Sequence, residues 1–398
     1  MKTNVLQLVG SFEQGGSERQ AVQMTRLLHE SGRYRVHLAC LNSQGALRGE
    51  VEPLGLDIPT FPLTSFYDRN MGVQLRRFVQ MLHEREIAVV QTYDFYTNVF
   101  GMLGAALARV PVRIAARRET EGTKTSKQKW VERRAFNLAH VIVANAEAVR
   151  QQLIKDGVPA RKIITVYNGM DTKRVAPQPA LRRDEALALL GLPLDPARRF
   201  VTIVANMRHA MKDQPTFLRA AQRVKAVVPE SAFVLAGEGE LVDQVRALAA
   251  QLGLEHDAHF IGRCARISEL LAISEVCVLS SCGVEGFSNS IIEYMAAARP
   301  VVATDVGGAR EAVTEGETGY IVAPGDDIAM ADRIISLLQE PEKARAMGER
   351  GLQVVKEKFS CEAQLQRIEN LYDQLLAKTR VSLPSERTSQ ERIAKNPR

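Results

Sequence analysis

At 398 residues the chain is too long for one ordinary hydrophobic core, so two domains are the starting expectation. With 45% hydrophobic and 25% charged residues it has the composition of a globular protein. No run approaches the roughly 18 apolar residues of a membrane-spanning helix. The net charge of +6 is unevenly placed: residues 1–175 carry +9, residues 176–378 carry −6 and the last twenty carry +3. That asymmetry predicts an anionic partner for the first half: a phospholipid surface, a lipid-pyrophosphate acceptor or an acidic polysaccharide. Nucleic acid is not expected, because the basic residues are not interleaved with aromatics in a recognisable module.

The N-terminal MKTNVLQLVG lacks the long apolar run and small-residue site of a secretory leader. The five cysteines, Cys40, Cys264, Cys277, Cys282 and Cys361, lack the close CxxC spacing of metal sites. Free thiols in a reducing cytoplasm are the expectation, with no metal and no cofactor.

In chain order, NVLQLV (4–9) reads as a buried parallel strand and GSFEQGGSERQ as a Gly-rich loop. AVQMTRLLHESG follows as an amphipathic helix ended by Gly32. VHLACL is a strand and PTFPL a loop or edge segment. The helix VQLRRFVQMLHER precedes the strand AVVQTY, and the helix NVFGMLGAALARV stops before Pro111. VRIAARR, WVERRAFNLAH, VIVANA, EAVRQQLIKDG and ITVYNGMD continue the strand–helix alternation. A Pro/Ala-rich, charged linker with one short helix spans residues 176–199. From Phe200 the alternation restarts with FVTIVANM, QPTFLRAAQRVKAVV, AFVLAGEGE, LVDQVRALAAQLG, HFIG, ISELLAIS and VCVLSS. Beyond Gly308 come the helix AREAVTEG, the strand and loop GYIVAPGD, the helix IAMADRIISLLQE and a long helix from about Glu362. A charged tail that the pattern marks as disordered occupies 379–398. The alternation predicts two doubly wound, mostly parallel α/β sheets: 1–175 and 200–361, with a final helix at 362–378.

In such sheets ligands bind beyond the carboxyl ends of the strands. Polar clusters fall there repeatedly: Gly15-Gly16, Arg117-Arg118-Glu119, Asn168-Gly169, Arg208 with Lys212, Gly237-Glu238-Gly239, Glu285 and Gly307-Gly308. Each alone is an ordinary loop; their coincidence at one edge points to a ligand. The G-x-G-x-x-G spacing of dehydrogenases is missing, as are a Walker loop and an Asp-x-Asp pair that would bridge a metal to a diphosphate. The fullest constellation is SSCGVEGFSNSIIEYMAAARPVVATDVGG (280–308), in which polar residues concentrate where a loop enters a helix. A helix N-terminus has unpaired N–H groups and partial positive charge, a natural seat for phosphate.

Glu285-Gly286-Phe287, then Glu293-Tyr294-Met295-Ala296-Ala297, then PVVATDVGG resemble the donor-domain signature of retaining glycosyltransferases of family four. Arg208, Lys212, Gly237-Glu238-Gly239, Asn168-Gly169 with Asp171, and Gly15-Gly16-Ser17-Glu18-Arg19 extend the resemblance over roughly residues 3–378. It implies the GT-B fold: two Rossmann-like domains facing across a cleft, the first binding acceptor and the second nucleotide sugar, with the last helix crossing back to the first domain. It further implies that Arg208 and Lys212 bind the donor diphosphate and neutralise it as it leaves, that Glu293 accepts from ribose hydroxyls, and that Glu285 contacts the donor sugar. Gly16, Gly237, Gly262, Phe287, Ser288, Asn289, Ser290 and Ile291 complete the implied donor site. The catalytic set would be Glu285, Arg208 and Lys212. The acceptor side is expected around Tyr93, Asp94, Arg117, Arg118 and Glu119, where the sequence lacks the His that many relatives carry. A further departure is Ala298-Arg299-Pro300, where the family often has Gly before the basic residue.

The implied activity is metal-independent, retaining transfer from a UDP-sugar or GDP-mannose to a glycan or lipid-linked acceptor, in a cytoplasmic protein peripheral to the membrane. A nucleotide-sugar 2-epimerase and a non-catalytic partner subunit of a glycan-assembly complex are the alternatives. RRETEGTKTSKQKWVERR (117–134) holds seven basic residues against three acidic, with the only Trp of the chain. Either Trp130 packs into the core, or the segment meets an anionic membrane surface. Base, sugar, acceptor, linkage and oligomeric state are not specified by the sequence.

Overall fold

Short β-branched runs with both faces apolar are what a sheet covered on both sides requires, and in a computed structural model such runs form twelve strands among the described residues. The structure describes residues 2–66, 68–120, 124–175, 182–283 and 285–382. The strands are β1 Thr3–Val9, β2 Tyr34–Cys40, β3 Val89–Thr92, β4 Val112–Arg117, β5 Val141–Ala144 and β6 Ile163–Thr165, then β7 Arg199–Val204, β8 Ser231–Ala236, β9 Ala258–Gly262, β10 Ser274–Leu279, β11 Val301–Thr304 and β12 Gly319–Val322. They build two six-stranded sheets, ordered β2-β1-β3-β4-β5-β6 and β12-β11-β10-β7-β8-β9. Pairing is parallel, for example Val5 with both Val36 and Val89, and Val278 with Ile203. In each sheet the chain winds outward from one strand, then returns to its other side. The resulting switch points lie between β1 and β3 and between β7 and β10.

The second sheet shows the two-sided burial directly. Val201 and Ile203 of β7 and Phe233 and Leu235 of β8 join a core with Phe217, Leu218 and Val224 of the helix Gln214–Val227. Phe200 of β7 and Ala232 and Val234 of β8 face the other way, with Leu187, Leu270 and Ile273. Successive strand residues point to opposite faces, so one VTIV-type run feeds both cores.

The chain divides into two compact units: residues 1–115, 131–141 and 365–398, and residues 116–130 and 142–364. In the first, the last helix, Cys361–Ser382, packs on the strands through fully buried Tyr372. The Tyr372 hydroxyl donates to Gln91 Oε1 at 2.6 Å and accepts from Gln7 Nε2 at 3.0 Å. Arg33 grips the same helix through Glu369 at 2.6 Å and Asp373 at 2.9 Å.

Four differences from the sequence reading concern element bounds. The first helix starts at Gly16, so Gly16-Ser17-Glu18 is its first turn and not loop. AREAVTEG forms only one helical turn, Ala309–Ala312. An 18-residue helix, Pro341–Lys358, forms where no helix is expected from the sequence. The linker helix forms at Arg183–Leu189, and the last helix runs on to Ser382, so residues 379–382 of the expected disordered tail are helical; linker residues 176–181 and tail residues 383–398 lie outside the described residues.

Candidate functional site

Arg208, Lys212, Glu285 and residues 287–291, expected on the donor side, lie in the segments that follow β7 and β10, the strands that flank the second sheet's switch point. β7 and β10 run side by side and part at their carboxyl ends, and the loop after each carries one half of the site. Val204 ends β7 beyond its last partner on β10, leaving backbone groups to satisfy. The helix Asn289–Ala296 does so: Ser290 Oγ donates to Val204 O at 2.9 Å, and Val204 N donates to the Tyr294 hydroxyl at 2.7 Å. Tyr294 also donates to Val278 O of β10 at 3.4 Å. Complete burial holds this phenol far above its usual pKa, so it stays a neutral bridge between the two strands.

Lys212 ends a single 3-10 turn, Ala210–Lys212, after β7. The next residue, Asp213, has left-handed backbone (φ 46°) and caps the helix Gln214–Val227, accepting from Thr216 N at 3.2 Å and Thr216 Oγ1 at 2.7 Å. Asp tolerates this conformation better than most residues and is a good N-cap, so one residue both turns the chain at Lys212 and starts the helix. Two hydrogen bonds stitch this segment to the loop after β10: Cys282 N to Met211 O at 2.9 Å, and Ser280 Oγ to Lys212 O at 2.8 Å.

These ties bring Lys212 and Glu285 together. The ammonium pairs with Glu285 Oε1, which also accepts from Ser281 Oγ at 2.7 Å. Thr304 Oγ1 in turn donates to Ser281 O at 2.6 Å, and Ser280, Ser281 and Thr304 are all fully buried. The Glu285 backbone is fixed separately, its carbonyl accepting from Thr120 Oγ1 at 2.9 Å. A second cation, Arg208, lies 3.5 Å from Glu238 with both side chains about half exposed (53% and 51%). Lys212 and Glu285 are far more enclosed, at 27% and 12%. The exposed pair is worth at most about 1 kcal/mol, so the Arg208 side chain is the freer of the two cations.

The other residues expected on the donor side have the following environments. Gly237 N donates to Gly262 O at 2.8 Å, joining the ends of β8 and β9. Gly237 lies so close to Ala205 that a Cβ would fall 2.0 Å from Ala205 O. Phe287 is buried against Tyr167 and Phe359, with centroids 5.0 and 4.9 Å away. Ser288 is the N-cap of the helix Asn289–Ala296, and its side chain makes no capping bond. Asn289, Ser290 and Ile291 form the first turn, and Glu293 is buried one turn later. Gly16 opens a helix in the first unit.

The residues expected on the acceptor side have varied environments. Tyr93 is buried and donates to Gln7 Oε1, in the same polar network that holds Tyr372. Asp94 caps the helix Phe95–Leu107 in a capping box with Thr97, and its Oδ2 lies 2.8 Å from where a Gly10 Cβ would stand. In the second unit, buried Arg117 pairs with Asp156 at 3.1 Å and donates to Thr120 O at 2.9 Å, an internal tie. Glu119 pairs with Lys124 at 3.0 Å. Arg118 donates to Asn168 Oδ1, and Asn168 Nδ2 donates to Phe287 O at 3.0 Å and Asn289 Oδ1 at 2.7 Å. Arg118 and Asn168 therefore brace the N-terminus of the helix Asn289–Ala296. Ser280, Ser281, Thr120 and Thr304 were not singled out as site residues from the sequence. Adjacent hydroxyls just before a Gly-flanked carboxylate are the signal that could have found Ser280 and Ser281; Thr120 and Thr304 carry no such signal.

The family model for glycosyl transferases group 1 matches residues 192–354, and that for glycosyltransferase family 4 matches residues 14–174. The alpha-maltose-1-phosphate synthase of Mycobacterium tuberculosis (strain CDC 1551 / Oshkosh) is 28% identical over 299 residues, 68% of this chain and 75% of that protein. The lipopolysaccharide core biosynthesis mannosyltransferase LpsB of Rhizobium meliloti (strain 1021) is 32% identical over 222 residues, 53% of this chain and 60% of that protein. The crystal structure of Anabaena HepE in complex with UDP superposes with a TM-score of 0.81 at 21% identity, covering 94% of this chain and 100% of that one. Two parallel six-stranded sheets, the two family matches and these relatives together make the chain a GT-B glycosyltransferase of the glycosyl transferases group 1 family.

Proposed function

We propose that the protein transfers a sugar, with retention and without a metal, from a nucleotide-diphosphate sugar to a glycan or lipid-linked acceptor in polysaccharide or lipopolysaccharide synthesis. The observation that carries this reading is the convergence of Lys212, Arg208, Glu285 and the N-terminus of the helix Asn289–Ala296 on one switch point. Breaking a glycosyl phosphate bond leaves positive charge on the sugar ring and negative charge on the diphosphate. Two cations and a helix N-terminus meet the leaving group; Glu285 supports the oxocarbenium character of the ring. Buried Glu293, one turn along that helix, accepts from the ribose. The departing phosphate oxygen takes the acceptor proton on the same face, which gives retention. The names of the relatives point to more than one donor, since HepE was crystallised with UDP and LpsB is a mannosyltransferase. A panel of UDP- and GDP-sugars tested in a metal chelator, first for thermal stabilisation and then for transfer, checks the reading. Strict dependence on a divalent cation would contradict it.

The acceptor side of the proposal includes an anionic lipid surface at the cytoplasmic face of the membrane. Among the described residues no helix is long and apolar enough to cross a membrane. Trp130 is 59% exposed on the helix Ser126–Leu138, among exposed Lys127, Lys129, Arg133 and Arg134. Indole and basic side chains together suit an anionic headgroup layer, at about 1 kcal/mol per basic residue near the surface. Co-sedimentation with vesicles containing phosphatidylglycerol should be lost on changing Lys127 and Arg134 to Glu. Binding that survives this change would refute the contact.

A further inference from the structure

The cation expected to take the donor diphosphate is already occupied in the free protein. Lys212 sits on Glu285, a carboxylate only 12% exposed, and the pair is enclosed by buried Ser280, Ser281 and Thr304. One ammonium near a carboxylate and a diphosphate cannot serve both fully, because the two anions compete for the same donors. Arg208 does not present this conflict to the same degree, since its contact with Glu238 is long and exposed. The carboxylate has a second anchor that the ammonium lacks. Ser281 Oγ donates to the same Oε1 at 2.7 Å, and Ser281 is itself held through its carbonyl by Thr304. Moving the lysine therefore leaves Glu285 with one hydrogen bond in place and its backbone still fixed by Thr120.

We infer that donor binding proceeds by partner exchange: the Lys212 ammonium passes from Glu285 to the diphosphate, and Ser281 is the positioning residue that keeps the freed carboxylate aimed at the sugar. The inference rests on the proposed donor reading. Its consequence runs against simple contact counting, because Glu285 weakens nucleotide binding while serving the transfer step. Exchange also releases the carboxylate's full negative charge only when a donor is present, so the group that supports the oxocarbenium ion is neutralised until then.

Calorimetric titration of UDP and GDP into four proteins tests the exchange: wild type, Glu285→Gln, Lys212→Met and the double variant. Glu285→Gln should bind the preferred diphosphate roughly tenfold more tightly, the scale of one hydrogen bond to a charged group. Lys212→Met should bind it roughly tenfold more weakly, and the Gln substitution should add nothing in the Met background. Unchanged or weaker binding by Glu285→Gln, or an equal gain in the Met background, would overturn the exchange. Wild-type affinity in Lys212→Met, or no binding of either nucleotide by wild type, would instead overturn the donor reading beneath it. For Ser281, the Ala variant should lose kcat at retained donor KM and thermal midpoint, with partial rescue by Ser281→Thr. Parallel loss of midpoint, KM and kcat would assign Ser281 to the fold alone.

Discussion

Asn168 makes more of the site than its place after β6 suggests. Its amide donates to Phe287 O and Asn289 Oδ1 and accepts from Arg118, so one short side chain fixes the entry of the helix Asn289–Ala296. Asn168→Ala should cost about 1–3 kcal/mol, read as a shift of the urea midpoint, because it strands buried partners. It should also weaken nucleotide binding. At Glu285 the expected pattern is different. Glu285→Ala should lower transfer by about a hundredfold or more, the scale of removing one group that stabilises developing charge. Its nucleotide binding should survive or tighten, and a matched loss of both would remove Glu285 from the sugar-facing role.

Among the elements, the helix Asn289–Ala296 is the most completely specified. Its first turn holds Val204, and its end closes in a Schellman motif, with Ala298 N donating to Met295 O at 3.0 Å and Arg299 N to Tyr294 O at 2.9 Å. The motif places Ala298 in the left-handed region at φ 55°, which explains why glycine is common at this point in the family. Ala298→Gly should therefore stabilise the protein by about 1 kcal/mol, measured by urea unfolding. The loop facing the helix is less tolerant. Gly307 has φ 52°, and a Cβ there would fall 2.5 Å from both Glu285 O and Gly286 O. Gly307→Ala should destabilise by more than about 1 kcal/mol and displace Glu285, with transfer falling further than stability. These local rules were legible from Pro300, Gly307-Gly308 and the apolar spacing. The helix Pro341–Lys358 was not, because its buried stripe is Ala344, Met347, Gly348, Gly351 and Val355. Small residues that let the backbone approach Ala298 and Met295 carry almost no hydrophobic signal. The start of the first helix was missed for a related reason, since Gly15-Gly16 reads as loop although Gly16 begins helical structure.

On the scale of the whole molecule, the alternation of strands and helices was enough to predict two doubly wound sheets, whereas the roles proposed for the donor-side residues came from the family resemblance. The ties between loops were hidden, because nothing in the order of residues says that Ser280 will reach Lys212 or Thr120 will reach Glu285. The tyrosines beneath the last helix add a pH dependence. Burial, aided by Asp373, pushes Tyr34 up to about 12, and burial also raises Tyr372. Both folded values lie above the unfolded value near 10, so their contribution is complete below about pH 10 and is lost as pH rises toward 12. Urea midpoints should fall between pH 9 and 11, with a shallower slope in Tyr372→Phe. One reaction tests the proposed transfer most directly: the preferred nucleotide sugar with an acceptor glycan in excess chelator, followed by NMR. Wild type should release the nucleoside diphosphate and form a product that keeps the donor's anomeric configuration, and Glu285→Gln should do neither. An inverted product, an absolute requirement for divalent metal, or an epimerised sugar nucleotide formed without transfer would contradict it.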